Sequence, residues 1–365
     1  MSPATSSTVR VAVVDDSTFI RKAITRMLDD DPQIEVVGSA GSGEELLTHF
    51  ARWQPDVVTL DLDMPGMGGL AALDRVMAIQ PTPVIILSTH SGKGAPLTIE
   101  ALHRGATDFI DKQCYSLVDF EALRGVLVEK IFQVTGKARQ RELDPKEAEA
   151  AEQTAAHLDN VVPEVKIPGA YDLIVIGAST GGPPILQEIL EGIGDSVPVP
   201  IVIVQHMPVG FTQAFAERLN TYLPLQVSEA QPSEHLLSDS VYIAPAGTHL
   251  RIRRQDSELY AELSPHPSDL AHVPSIDVLF ESAAKAVGRR TIAALLTGMG
   301  RDGARGMSAL KHRGAYNFCQ DERSCVVFGM PRAALALGAV DEIATPKEMG
   351  LRIHELVTRA LDDDS

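Results

Sequence analysis

Five residues in the first third of the chain share one kind of position: each stands where an apolar run ends. Asp15 and Asp16 follow VRVAVV, Asp61 follows DVVTL, Ser88 follows PVIIL and Lys112 follows DFID. Three carboxylates brought together repel one another, and the usual remedy is a hard divalent cation such as Mg2+ with oxygen ligands. Such a cluster can accept a phosphoryl group on one carboxylate while the metal and a lysine neutralise the transferred oxygens. A second set lies past residue 170. Gly177-Ala178-Ser179-Thr180-Gly181 fits G-x-S-x-G, the sharp strand-to-helix turn that exposes a serine hydroxyl. It does not fit G-x-G-x-x-G, and Pro183 after Gly182 leaves no lysine where a phosphate loop needs one. A serine is a poor nucleophile without a base and an orienting acid. His206 follows the apolar VPIVIVQ, and Asp302 lies in GMGRDG after TIAALLT. By triad logic Ser179 attacks, His206 shuttles the proton and Asp302 orients the imidazole. The glycines around Asp302 let backbone N–H groups approach an oxyanion.

Taken singly, each residue has a quieter reading. An Asp pair after a strand caps a helix, Ser88 and Asp302 suit turns, Lys112 suits solvent, His206 suits a structural role, and a small-residue turn suits close packing. The functional reading rests on recurrence at successive strand ends, because loops leaving the carboxyl ends of a parallel sheet converge on one edge. From Val9 to about Gln133, five runs (VRVAVV, IEVVGSA, DVVTLDL, PVIILS, DFID) each precede a helix-period stretch. That alternation predicts a five-stranded parallel sheet covered on both faces. A second α/β pattern begins at YDLIVIG and runs through VPIVIVQ, QVSEA, SVYIAPAGTHLRIRR, ELYAELS, TIAALLTG and AYNFCQ. It predicts a mainly parallel, Rossmann-like sheet with antiparallel hairpins over 240–264. The order Ser, His, Asp differs from that of the α/β-hydrolases, which argues for a doubly wound sheet over that fold. Between the two patterns, GKARQRELDPKEAEAAEQTAAHLDNVVPEVKIP lacks an apolar stripe and reads as a charged, semi-rigid spacer. The expected organisation is a domain over 1–133, a linker over 134–168 and a second domain over 169–365. No internal repeat is visible.

The length of 365 residues suits two domains. A formal charge of −17 and the lack of a basic stripe or helix-turn-helix argue against a nucleic-acid partner. No apolar run nears the roughly 20 residues of a membrane span, so no membrane insertion is expected. The start, MSPATSSTVRVAVVDD, has no secretory apolar region, which predicts a cytoplasmic protein. Cys114, Cys319 and Cys325 are odd in number without CxxC spacing, and are expected to be inert thiols.

Residues 9 to about 130 resemble a two-component receiver domain, on VVDDS, TLDLDMPGMGG, PVIILST and GATDFIDK. The resemblance implies a flavodoxin-like fold with Asp61 as phosphoacceptor. It implies Mg2+ on Asp16, Asp61 and the backbone carbonyl of Asp63, with Asp15 in support. Ser88 and Lys112 would contact the phosphoryl group, Phe109 would be the switch aromatic, and a chemotaxis histidine kinase would be the phosphodonor. Two departures stand out: Gly68 where an Asp is common, expected to loosen the following helix start, and Gln113 in place of the usual Pro, expected to alter the geometry at Lys112.

Residues 170 to 358 resemble the catalytic domain of the chemotaxis receptor methylesterases, the protein-glutamate methylesterase/protein-glutamine glutaminase family. IGASTGG, VQHMPVGFT, YIAPAGTHL, PSIDVLF, LLTGMGRDGARGM and FGMPRAA carry that match. It implies that Ser179, His206 and Asp302 form the triad, and that Thr180 and the Met299 N–H belong to the active site. The implied reaction is hydrolysis of glutamate γ-methyl esters on methyl-accepting chemotaxis receptors, with deamidation of receptor glutamines, without a cofactor. It implies too that the unphosphorylated receiver covers the Ser179 edge and that phosphorylation releases it. Arg301 is a candidate for an ion pair competing for Asp302. The alternative is a phospho-switched binding module without turnover, which a serine-reactive fluorophosphonate would fail to label.

Overall fold

The computed structural model describes residues 8–88, 94–112, 120–137, 171–265 and 272–362. Gln113, Cys114, residues 138–168 of the expected linker and residues 169–170 lie outside them. The chain divides into two compact units, residues 1–141 and 142–365.

The first unit alternates strand and helix throughout: β1 (Val9–Val14), α1 (Thr18–Asp29), β2 (Ile34–Ala40), α2 (Gly43–Trp53), β3 (Val57–Asp61), α3 (Gly68–Ile79), β4 (Val84–Ser88), α4 (Gly94–His103), β5 (Asp108–Asp111) and α5 (Phe120–Val134). The sheet order is β2-β1-β3-β4-β5 with every pairing parallel. Because helices cover both faces, the inner strands are apolar without alternation, and Val11 to Val14 and Val84 to Ile86 are wholly buried. The strand order reverses between β1 and β3, and a crevice opens at the carboxyl ends of strands at such a switch point.

The second unit contains β6 (Leu173–Ala178), α6 (Gly182–Ile193), β7 (Ile201–Gln205), α7 (Phe211–Tyr222), β8 (Gln226–Glu229), β9 (Ser240–Ile243), β10 (Thr248–Gln255), β11 (Glu258–Pro265) and α8 (Ile276–Ala286). It continues with β12 (Thr291–Leu295), α9 (Ala304–His312), β13 (Tyr316–Gln320), α10 (Met330–Ala336), β14 (Glu342–Ala344) and α11 (Pro346–Asp362). Seven strands form one parallel sheet in the order β14-β13-β12-β6-β7-β9-β8. Its switch point lies at β6, flanked by β12 and β7. The antiparallel hairpin is β10 with β11, paired from Thr248 with Pro265 to Gln255 with Glu258 as a sheet of its own. Ser240–Ile243, grouped with the hairpin by sequence pattern, is instead a parallel strand between β7 and β8. The hairpin is held to α8 by the Ile252 N–H, which donates to Ser282 Oγ at 2.8 Å. Phe211, Phe280 and Phe318 are wholly buried in this unit, and truncating any of them to alanine should cost about 3–5 kcal/mol. Among the described residues no helix is long and apolar enough to cross a membrane.

Candidate functional site

Both units place their polar residues at the carboxyl edge of the sheet, at the switch point. In the first unit Asp15 and Asp16 leave β1 and Asp61 ends β3. The three carboxylates each have an oxygen within 4.8 Å of the others. Local hydrogen bonds hold the loop after β1: the Ser17 N–H donates to Asp15 Oδ1 at 2.9 Å, and Ser17 Oγ caps α1 by accepting from the Ile20 N–H. Arg21, one turn into that helix, donates through Nη1 to the carbonyls of Asp15 and Asp16. Lys112 leaves β5 and donates through Nζ to Asp15 Oδ2 and Asp61 Oδ2, both at 2.7 Å. The Asp63 N–H donates to Asp61 Oδ1 at 3.2 Å. Ser88 is buried at the end of β4, its Oγ 3.5 Å from the Gly94 carbonyl, and Phe109 is buried on β5 opposite Ile86.

Burial pushes the Asp61 carboxyl above its usual range; the Lys112 ammonium pulls it back only in part, and the charge of Asp15 adds to the rise. Burial alone would lower Lys112, but Asp61 and Asp15 outweigh it and hold the ammonium above its ordinary value. Three carboxylates against one ammonium leave two negative charges, which a hard divalent cation with oxygen ligands matches. The donor set therefore fits Mg2+. Gly68 opens α3 at φ +74°, and the helix has no side-chain cap of its own. Glu44 on α2 supplies what is missing by accepting from the Met67 N–H at 2.8 Å. Gly69 was not singled out from sequence; a Cβ there would stand 2.3 Å from the Asp61 carbonyl, so only glycine lets α3 begin against the acidic strand end.

In the second unit β6 ends in the turn that carries Ser179. Gly181 adopts φ +76° as the N-cap of α6, a left-handed conformation that glycine enters without strain. The Ser179 N–H donates to the Thr297 carbonyl at 3.0 Å, and the His206 N–H donates to the Ala178 carbonyl at 3.0 Å, so the loops after β12 and β7 are tied to this turn. Ser179 Oγ stands 3.2 Å from His206 Nδ1, and His206 Nε2 stands 2.9 Å from Asp302 Oδ2. Asp302 also accepts from Ser275 Oγ (2.8 Å) and from the N–H groups of Ile276 (2.8 Å), Asp277 (3.0 Å) and Gly303 (3.1 Å). Three of these donors, Ser275, Ile276 and Asp277, form the N-terminus of α8, where unpaired N–H groups and the helix dipole favour an anion.

Burial would raise the Asp302 carboxyl, but the hydrogen bond from His206 and those from the α8 N–H groups outweigh it and hold it well below the usual carboxylate range. An ionised carboxylate only accepts, so His206 Nε2 carries the hydrogen and Nδ1 presents its lone pair to the Ser179 hydroxyl. Thr180 is buried beside Ser179, with its carbonyl held by Thr297 Oγ1 at 2.9 Å. Among the described residues its N–H has no acceptor. Met299 is exposed on the loop after β12. A Cβ at Gly298 would stand 2.7 Å from Ser179 Cβ, so the absence of a side chain there lets this loop lie against the serine. The Arg301 side chain is exposed and makes no ion pair with Asp302 among the described residues.

Three neighbours of the chain from Ser179 to Asp302 escaped the reading from sequence. Gln205, buried at the end of β7, donates through Nε2 to the carbonyls of Ser179 (2.9 Å) and His206 (3.1 Å); a lone polar residue closing an apolar strand was its signal. Ser275 is the N-cap of α8, visible as a serine before the helix IDVLF. His272 stacks on His206 and had no signal, because its ring meets that of His206 only in the fold. Burial pushes the Cys319 thiol well up and that of Cys325 up to about 12, so neither is a thiolate near neutral pH.

A carboxylate cluster facing a lysine in one doubly wound unit, and a Ser-His-Asp chain in the other, define a response regulator with a hydrolase output unit. Residues 11–122 match the response regulator receiver domain family, and residues 174–353 match the CheB methylesterase family. The protein-glutamate methylesterase/protein-glutamine glutaminase of Halalkalibacterium halodurans is 41% identical over 340 residues, which is 92% of this chain and 95% of that one. The protein of the same name from Nitrosomonas europaea is 40% identical over 346 residues, 94% and 95% of the two chains. The crystal structure of the Thermotoga maritima CheB methylesterase catalytic domain aligns with a TM-score of 0.50 and 37% identity, over 52% of this chain and all (100%) of that one. The chain belongs to the protein-glutamate methylesterase/protein-glutamine glutaminase family.

Proposed function

We propose that this chain hydrolyses glutamate γ-methyl esters on methyl-accepting chemotaxis receptors and deamidates particular receptor glutamines, by a Ser-His-Asp mechanism switched on by phosphorylation. The observation that carries this reading is the hydrogen-bonded chain from Ser179 Oγ through the His206 ring to Asp302. Ser179 Oγ attacks the γ-carbonyl carbon as its proton passes to His206 Nδ1. The tetrahedral oxyanion is received by the N–H groups of Thr180 and Met299, fixed donors that need no reorganisation as the charge develops. His206 returns the proton to the departing methoxide, methanol leaves, and an acyl-Ser179 ester remains. Water then attacks that ester, its proton going to Nδ1 and back to Ser179 Oγ, which frees glutamate. On a glutamine side chain the same cycle releases ammonia. Asp302 keeps the hydrogen on Nε2 and steadies the imidazolium formed in each half-reaction.

The receiver, taken as 1–133 and joined by a linker over 134–168 to the catalytic domain over 169–365, accepts its phosphoryl group on Asp61 from a chemotaxis histidine kinase. Asp16, Asp61 and the Asp63 carbonyl would hold Mg2+, which when bound neutralises the oxygens of the transferred group. Lys112 and Ser88 contact those oxygens, Asp15 holds Lys112, and Phe109 reports the change. Phosphorylation shifts the receiver between two arrangements and so switches the hydrolysis on.

The test is methanol release from methylated receptor in the presence of a small-molecule phosphodonor. Ser179→Ala should lower turnover by up to about six orders of magnitude, because a triad acts as a unit. Normal release by that variant would end the proposal.

A further inference from the structure

We propose that His272 is a positioning residue for the hydrolysis, a flat ring laid against the face of His206; the inference rests on the triad reading above. The two hydrogen bonds of His206, from Nδ1 to Ser179 and from Nε2 to Asp302, are made at ring nitrogens, whose N–H and lone pair point along the ring plane. They fix two edges and leave the faces unsupported. His272 covers one face, with ring centroids 4.1 Å apart and planes inclined by 16°. A stack of this kind leaves both His206 nitrogens to their partners and opposes tilting of the ring out of the line between hydroxyl and carboxylate. It also lays a π face against the imidazolium that forms in each transition state, an attraction absent while the ring is neutral.

The segment that carries His272 strengthens the case. Within six residues, 272–277, it supplies the stacked ring and three of the four donors that hold Asp302 besides His206, namely Ser275 Oγ and the N–H groups of Ile276 and Asp277. The segment is pinned from outside: the Gly247 N–H donates to the Val273 carbonyl at 3.2 Å, and the Ser275 N–H donates to Nδ1 of buried His249 at 3.1 Å. One stretch of backbone therefore sets both the tilt of the base and the position of its acid.

The experiment uses the full chain with a phosphodonor and reads two rates: methanol release from methylated receptor, as kcat and KM, and labelling of Ser179 by a fluorophosphonate. His272→Ala should lower kcat and the labelling rate by about tenfold to a hundredfold, the usual cost of a small misplacement of a catalytic group. KM should stay within about twofold, since the stack acts in the transition state. His272→Phe should recover most of that loss, because it restores a flat ring. His272→Lys should stay at or below the alanine variant, because a fixed cation faces the forming imidazolium. Wild-type labelling by His272→Ala, with labelling abolished in His206→Ala, overturns the stack and spares the triad. Wild-type labelling in both overturns the triad and the stack with it. Should His272→Ala fail to fold, the other pair decides: equal rates for His272→Phe and His272→Lys overturn the proposal.

Discussion

Asp61 and Asp302 occupy the same kind of place, the carboxyl edge of a parallel sheet at its switch point, yet the fold treats their charges in opposite ways. Among the described residues Asp61 receives one backbone N–H, from Asp63, and shares Lys112 with Asp15, and burial and a like charge leave its carboxyl above the usual range. Asp302 receives three backbone N–H groups, the Ser275 hydroxyl and His206, and its carboxyl is held far below that range. The difference matches the role proposed above for each carboxylate. An under-solvated carboxylate next to a lysine gains from acquiring a phosphoryl group and a metal ion. A carboxylate saturated with donors reacts with nothing and serves as a fixed negative charge behind an imidazole.

Removing either charge should break the contrast in different observables. The largest effect belongs to Asp302→Asn, which keeps the size and loses the charge. It should lower kcat for ester hydrolysis by about four orders of magnitude, the scale seen when a triad histidine loses its preferred tautomer. Asp61→Asn should leave hydrolysis without a phosphodonor in place and remove the rise on adding one, measured as methanol release with and without acetyl phosphate. Ser275→Ala should cost roughly tenfold in kcat and about 1 kcal/mol of stability, since one hydroxyl both caps α8 and donates to Asp302.

The smallest effect is on stability against pH, and its sign differs between the two acids. For Asp302 the folded value lies below 3.8. Its contribution is therefore whole above 3.8 and is lost as pH falls through the folded value; Asp302→Asn should remove that acid limb of the melting curve. For Asp61 the folded value lies above 3.8. No cost exists in acid, and ionisation costs stability as pH rises from 3.8 through the folded value. Asp61→Asn should thus stabilise the receiver near neutral pH, with the gain fading toward acid. Thermal melts of both variants across pH would check the two signs together.

The strands of both sheets were legible because parallel strands buried on two faces read as unbroken apolar runs, and the strand ends then located Asp15, Asp16, Asp61, Ser88, Lys112, Ser179, His206 and Asp302. What pattern could not reach has physical causes. β14 is a three-residue edge strand, too short for any period to show. Ser240–Ile243 reads like the hairpin strands that follow it, and only its partners β7 and β8 set it in the parallel sheet. The looser helix start expected at Gly68 is offset by Glu44, which lies 24 positions earlier in the chain and reaches Met67 only in the fold. The support around the triad is tertiary in the same way: the donors to Asp302 come from a helix start some 26 residues before it, and the ring on His206 comes from 66 residues after it.

The central claim is that Ser179 forms a covalent acyl intermediate under the control of His206. Mass spectrometry of the chain, acid-quenched during turnover of a methylated receptor peptide, tests it most directly. The account predicts a Ser179 peptide heavier by the substrate less methanol, lost in Ser179→Ala. An adduct mapped to another residue, or turnover undiminished in Ser179→Ala, would contradict it.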